Sequence, residues 1–133
     1  MAIEVFKSTT KLTEGMRVEC TARDHKILLD EPTGLGGTDT GMNPVEAVLC
    51  ALGACKCIVA RCFAKAHKID LQDFRIELEG DLDPDGFMGK NKDAKIGFST
   101  VRSKIYIKSN SSKEDIEKFV EFIVRWNDLL PDL

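Results

Sequence analysis

The cysteine thiols are the most reactive side chains in this sequence. Four of the five cysteines lie within residues 50–62, at Cys50, Cys55, Cys57 and Cys62. An odd number of cysteines, crowded into one apolar segment, differs from the disulfide framework of a secreted protein, whose cysteines are spread over loops. The N-terminal residues also lack the apolar core of an export signal. We therefore expect reduced thiols in a cytoplasmic protein.

The spacing of these cysteines argues against a metal centre. On an α-helix, residues two apart project about 200° from one another, so Cys55 and Cys57 cannot bind one ion. Cys50 and Cys57 share one face, and Cys55 and Cys62 share another, but two sulfurs are too few for a structural zinc site. We expect neither a metal nor another cofactor.

Cys55 has two interpretations that the spacing leaves open. It falls on the apolar stripe of a predicted helix, about three turns beyond the helix start, where the helix dipole has faded. A reactive thiolate there requires a cation from elsewhere in the fold, for which Arg17 is a candidate. Without such a cation, a cysteine on an apolar helical face is a small core hydrophobe.

The helix that carries these thiols begins at a recognisable point. Asn43 is a good N-cap, and Pro44 suits the first helical position because its missing N–H would have had no partner there. Glu46 falls in the first turn, which favours a structural role over a catalytic one. Positions three and four apart then form one apolar stripe, predicted to lie in the core: Val48, Leu52, Cys55, Val59, Cys62, Phe63 and Ala66.

Alternating apolar and polar residues predict strands on both sides of this helix. Residues 2–30 are predicted to form an antiparallel meander, with strands over 2–8 and 16–22, and the glycine-rich residues 30–42 are predicted to be a loop. Strand patterns return over 73–80 and 95–108. A second helix is predicted after Ser112, with this inward face: Ile116, Phe119, Val120, Ile123 and Val124.

This order of elements predicts an α+β fold, with helices segregated against an antiparallel sheet, in a single domain over residues 1–133. A long apolar helix has too little in its own chain to cover it, so we expect a homodimer with paired helices.

The composition narrows the range of partners. The 133 residues carry a formal charge of −3 and no block of Lys or Arg, which argues against nucleic acid and anionic membranes. The longest apolar stretch, residues 45–66, is interrupted by four charged residues, which argues against a membrane-spanning helix. Small molecules and protein partners remain.

Residues 41–55, Gly-Met-Asn-Pro-Val-Glu-Ala-Val-Leu-Cys-Ala-Leu-Gly-Ala-Cys, resemble the signature of the OsmC/Ohr family of osmotically inducible and organic hydroperoxide resistance proteins. In that family an Asn-Pro opens the central helix, and a cysteine follows twelve residues after the Asn, as Cys55 follows Asn43. The likeness continues through residues 112–124. It implies an intertwined homodimer with paired central helices, in which Cys55 is the thiolate that reduces an organic hydroperoxide.

The chain also departs from the family pattern. The family's resolving cysteine stands in a Cys-Pro motif after the last helix, whereas residues 125–130 contain no cysteine, and no counterpart of the following strand is expected. The family's glutamate directly follows the Pro, where this chain has Val45, so Glu46 is rotated by about 100° from that position.

Two functions therefore stay open. The first is an OsmC-like peroxidase that uses Cys55, Glu46 and Arg17 and depends on an external thiol reductant. The second is a catalytically degenerate OsmC-like dimer that binds an apolar small molecule.

Overall fold

The computed structural model describes residues 2–125, which form an α+β fold with antiparallel sheets and three α-helices. The chain divides into two compact units, the first ending at Val48 and the second beginning at Leu49. In chain order the elements are β1 (Thr9–Leu12), β2 (Val18–Ala22), β3 (His25–Leu29), α1 (Pro44–Phe63), β4 (Asp73–Leu82), α2 (Pro84–Phe87), β5 (Phe98–Lys108) and α3 (Lys113–Arg125).

The first unit contains the predicted meander, with strand order β1-β2-β3, but its first strand is displaced. Residues 2–8 were predicted to be a strand, and this is wrong: β1 begins at Thr9. The turn between β1 and β2 lies at Thr13–Arg17 and is closed by the Thr13 N–H, which donates to the Arg17 carbonyl at 2.9 Å. Residues 2–8 alternate like a strand but have no partner strand among the described residues, and they lie exposed.

Helix α1 begins at Pro44, as predicted, but it buries a different face. Its buried residues are Gly53, Lys56 and Ala60. Gly53 lies so close to β4 that a Cβ there would come within 2.7 Å of Leu78 Cδ1. The helix thus packs through small residues, because these allow the closest approach of helix and sheet.

The predicted core stripe is therefore wrong in most of its members. Cys55 was expected to be buried, but it is exposed in this single chain, as are Val48, Cys62, Phe63 and Ala66; Leu52 and Val59 are half-buried. The helix has two apolar faces, and steps of three and four do not distinguish the face that packs on the chain's own sheet from the other.

The core of the second unit forms between α1, α3 and the antiparallel pair β4-β5. Its buried cluster consists of Ala60, Ala64, Ile69, Phe119 and Ile123. The prediction for α3 is largely confirmed: the Asp115 N–H donates to Ser112 Oγ at 3.1 Å, which caps the helix. Val124 is exposed, against prediction, and Phe122 packs edge-on against Phe63 with ring centroids 5.1 Å apart.

The connection between β4 and β5 holds the short helix α2, which is capped by the Asp83 side chain. The predicted second strand of this pair begins at Phe98, three residues later than expected. The expected lack of a further strand concerns residues after Arg125, which lie outside the described part of the chain. Within residues 2–125, no helix combines the length and apolar character needed to span a bilayer.

Candidate active site

Cys55 lies on an exposed, thiol-rich face of α1. Its neighbours at steps of three and four are exposed as well, and we call this set the outer face of α1: Val48, Ala51, Cys55, Ile58 and Cys62. No disulfide joins the five cysteines, all of which lie within residues 2–125. An exposed thiol can meet a dissolved substrate, which a thiol sealed in the core cannot.

Glu46 closes the start of α1. Its carboxylate accepts from the Asn43 N–H at 2.9 Å, and its own N–H donates to Asn43 Oδ1 at 2.8 Å. This reciprocal pair is a capping box, which satisfies two N–H groups that would otherwise have no helical partner. The geometry supports the structural role that the first-turn position indicated.

Arg17 is half-buried just before β2, and its Nε donates to Thr40 Oγ1 at 3.1 Å. Thr40 belongs to the loop that leads into α1. No ion pair joins Arg17 to Glu46 in the described part of the chain. Of the three predicted site residues, Arg17 and Glu46 belong to the first unit and Cys55 to the second.

Asp30 is a buried carboxylate that sequence reasoning did not single out. Its side chain is 1% exposed. It accepts from the Thr38 hydroxyl at 2.6 Å, from the Thr40 hydroxyl at 2.8 Å, and from the backbone N–H groups of Glu31, Thr38 and Thr40. These donors, the Thr38 hydroxyl first among them, hold the pKa of Asp30 far below its ordinary value against the opposing effect of burial. The available signal was an Asp opening a loop rich in Thr and Gly, a pattern typical of turns.

Lys56 is the second buried charge that the sequence analysis missed. It lies on the packed face of α1 between Gly53 and Ala60, with 1% of its surface exposed. Its Nζ has no hydrogen-bond partner among the described residues. Burial lowers the pKa of this amine because the charged form loses its hydration. The sequence shows Lys56 only as an interruption of an apolar stretch.

A groove of about 400 Å³ runs between α1 and β4 within the second unit. It contains the thiols of Cys50 and Cys57 and the side chain of Arg75, but it does not include Cys55. The guanidinium of Arg75 also lies 4.1 Å from the centre of the Tyr106 ring. The rest of the lining is apolar: Leu49, Gly53, Ala54, Phe74, Ile76 and Leu78. No cluster of three or more metal-ligating side chains occurs in residues 2–125.

Together these features define a small α+β protein built around a capped, thiol-bearing helix. The model of the family described as OsmC-like protein matches residues 37–126, which is more than half of the chain. The chain therefore belongs to the OsmC family, as the Asn-Pro signature and its cysteine spacing predicted.

Solved structures share this fold at low sequence identity. An OsmC-like protein from Mycoplasma pneumoniae superposes with a TM-score of 0.83 at 22% identity, covering 98% of this chain and 89% of its own. The organic hydroperoxide resistance protein OsmC from Legionella pneumophila gives 0.65 at 22% identity, with 92% and 84% covered. A Vibrio cholerae protein with captopril bound in one of its active sites gives 0.60 at 16% identity, with 91% and 79% covered. No curated protein matches this sequence.

Proposed function

We propose that this protein is an OsmC-type peroxidase that reduces small organic hydroperoxides through Cys55. The observation that carries the proposal is the exposed thiol of Cys55, which stands twelve residues after the helix-capping Asn43 in a chain that belongs to the OsmC family. The organic hydroperoxide resistance protein of the same fold supports this choice of substrate.

The first step consumes one hydroperoxide. The Cys55 thiolate attacks the distal oxygen, the O–O bond breaks, and the electron pair leaves on the alkoxide, which takes up a proton to become an alcohol. The sulfur keeps the distal oxygen as a sulfenic acid, so the thiol is oxidised by two electrons and the peroxide is reduced by two.

An external thiol reductant completes the cycle. The sulfenic acid condenses with one thiol to give a mixed disulfide and water, and a second thiol releases Cys55 by thiol–disulfide exchange. Cys62 shares the outer face of α1 but lies seven residues along the helix, about 10.5 Å at 1.5 Å per residue. Disulfides need Cα atoms within about 7 Å, so an intact helix does not allow this pair to close. A reducing, cytoplasmic setting would supply such a reductant.

Arg17 is proposed as the cation that the Cys55 thiolate requires, because a positive charge favours the thiolate over the thiol. Glu46 is proposed to support the site through the helix start, since its carboxylate is engaged by the Asn43 N–H.

The active form is proposed to be a homodimer paired through the outer face of α1. That face repeats at steps of three and four over about four turns and is exposed throughout in this chain. Ile58, for example, is 64% exposed. A second copy would cover the apolar side chains of this face, and the proposed chemistry requires that the Cys55 thiol stay open to the hydroperoxide at the edge of the pairing.

A second candidate function is the binding of an apolar small molecule without catalysis. The groove between α1 and β4 favours it, because its lining is mostly apolar and it excludes Cys55. The lack of a Cys-Pro resolving cysteine favours it as well.

Cumene hydroperoxide added to fully reduced protein separates the two functions. The peroxidase predicts a sulfenic acid on Cys55, trapped with dimedone and located by mass spectrometry, and its loss in Cys55→Ser. Cys62→Ser is the matched control, because Cys62 is exposed on the same helical face. In this variant Cys55 should be oxidised as in the wild-type protein. No adduct on Cys55, under conditions that oxidise a known peroxidase, would rule out the enzyme. Thermal stabilisation by the hydroperoxide that survives in Cys55→Ser would then support the binding function.

A further inference from the structure

The hydroxyl of Thr40 joins Arg17 to the buried Asp30. Arg17 Nε donates to Thr40 Oγ1 at 3.1 Å, and the same oxygen lies 2.8 Å from Asp30 Oδ2. An ionised carboxylate can only accept hydrogen bonds, so the single hydroxyl hydrogen of Thr40 is committed to Asp30. The lone pairs of Thr40 Oγ1 are then left for Arg17, whose guanidinium can only donate. The direction of both bonds is therefore set by the charge on Asp30.

Thr40 is itself held in place at its backbone. Its N–H donates to Asp30 Oδ2 at 3.1 Å, and the Asp39 N–H donates to the Glu31 carbonyl at 3.0 Å. The Asp30 N–H in turn donates to the Met42 carbonyl at 3.0 Å, which closes the loop at its base. The acceptor for Arg17 is thus a fixed oxygen on a rigid loop and not a freely rotating hydroxyl.

We propose that Thr40, oriented by Asp30, is a positioning residue for Arg17. A bond at Nε fixes the plane of the guanidinium while leaving both terminal Nη groups available. Arginine side chains lose considerable rotamer freedom when they are ordered, so a prepositioned guanidinium binds an anion at a smaller entropic cost. This inference rests on the proposed function, in which the Arg17 cation serves the Cys55 thiolate.

The chain provides a matched control for this role. Thr40→Val removes the hydroxyl and keeps the shape of the side chain. Thr38→Val removes a shorter bond, 2.6 Å, to the same carboxylate oxygen, whereas the hydrogen bond of Arg17 goes to Thr40. The Thr38 and Thr40 hydroxyls are 3.3 Å apart, so both variants perturb the same network. Thr40→Ser keeps the hydroxyl and serves as the conservative rescue.

The first measurement is independent of catalysis. In protein labelled with ¹⁵N at arginine, the solvent exchange rate of the Arg17 Nε–H reports directly on its bond to Thr40. We expect Thr40→Val to accelerate this exchange about tenfold, since one hydrogen bond from a charged donor contributes on the order of 1.5 kcal/mol. Thr38→Val and Thr40→Ser should stay near the wild-type rate. Thr40→Ala is a second hydroxyl-free variant, for use if Thr40→Val does not fold.

The second measurement connects the inference to the proposed chemistry. The rate of Cys55 alkylation by iodoacetamide at a fixed neutral pH, followed on the Cys55 peptide by mass spectrometry, reports the reactivity of that thiol. We expect Thr40→Val to slow this alkylation, Arg17→Met to slow it at least as much, and Thr38→Val to leave it unchanged.

The outcomes separate the two claims. Equal acceleration of Arg17 Nε–H exchange in Thr40→Val and Thr38→Val, or no acceleration in either, overturns the positioning role of Thr40. Faster exchange in Thr40→Val alone supports that role, whatever happens at the thiol. If Arg17→Met then leaves the alkylation rate of Cys55 unchanged, the positioning of Arg17 stands and its assignment to Cys55 in the proposed function fails.

Discussion

The two units of this protein each bury a titratable group, and they treat it in opposite ways. In the first unit, the Asp30 carboxylate accepts five hydrogen bonds from Glu31, Thr38 and Thr40. In the second unit, Lys56 Nζ has no partner among the described residues. Both groups are 1% exposed. Burial alone therefore does not decide whether a charge is accommodated; the donors and acceptors around it do.

The pKa values of Asp30 and Lys56 move in the same direction for opposite reasons. The pKa of Asp30 is lowered because its charged form is well hydrogen-bonded, chiefly by Thr38. The pKa of Lys56 is lowered because its charged form is desolvated. The native structure thus favours the ionised carboxylate of Asp30 and disfavours the protonated amine of Lys56. The ionised Asp30 carboxylate thus stabilises its loop. The Lys56 amine destabilises the folded state, although its side chain fills space on the packed face of α1.

Replacing Asp30 should produce the largest effect. Asp30→Asn replaces one carboxylate oxygen by an NH₂ group, so at least one donor, such as the Glu31 N–H, loses its acceptor, and the other bonds lose the negative charge that strengthens them. We expect the unfolding temperature to fall by on the order of 10 °C in a circular dichroism melt. Asp39→Asn is the control, since Asp39 is an exposed neighbour in the same loop with a positive φ of 55°, which Asn also tolerates. Equal unfolding temperatures for the two variants would show that the Asp30 network contributes little to stability.

Replacing Lys56 should change stability in the opposite direction. Lys56→Met keeps the length of the side chain and removes the unpartnered amine, so we expect a gain of about 1–2 kcal/mol in the free energy of unfolding by urea. Lys65→Met is the matched control, because Lys65 is exposed just beyond the end of α1, and its effect should be near zero. A clear loss in Lys56→Met would mean that the amine has a stabilising partner and would remove the contrast with Asp30.

Local signals made parts of this fold predictable. The start of α1 at Pro44 and the cap at Ser112 are determined by residues within one turn, and both predictions are confirmed. Strand pairing is not local: residues 2–8 have the alternation of a strand, but the turn at Thr13–Arg17 selects Thr9–Leu12 as the partner of β2. The face of α1 that is buried is likewise determined by its contacts with β4. The sequence of the helix alone does not predict those contacts.

The same limit applies to the site. Cys55 is predicted as a site residue from its spacing to Asn43, a pattern that lies within one helix. Asp30 was not found, because its donors at Thr38 and Thr40 are eight and ten residues away and face it only after the loop folds back. The burial of Lys56 was not predicted, because it depends on which side of α1 packs against the sheet.

The acid titration of Asp30 tests the origin of its low pKa. Because the folded-state pKa lies below the unfolded value, the carboxylate contributes stability above about pH 4, and this contribution is lost as pH falls through the folded pKa. Thr38→Val removes the largest cause, so the ¹³C titration of the Asp30 carboxyl should move to higher pH. Asp81 is the internal control, since its pKa is lowered by Arg102 and should not move. An unchanged Asp30 titration would contradict the attribution to Thr38.

The smallest and most selective effect is expected in the free energy of unfolding at alkaline pH. The folded protein binds fewer protons at Lys56 than the unfolded chain does, wherever the pH lies between the lowered folded pKa and about 10.4. The free energy of unfolding should therefore rise with pH across that window, by up to about 1.4 kcal/mol per pH unit for one proton. Lys56→Met should lack this rise, and Lys65→Met should retain it. A parallel rise in wild type and Lys56→Met would assign the alkaline effect to other groups, and the buried amine would then titrate as an ordinary lysine despite its surroundings.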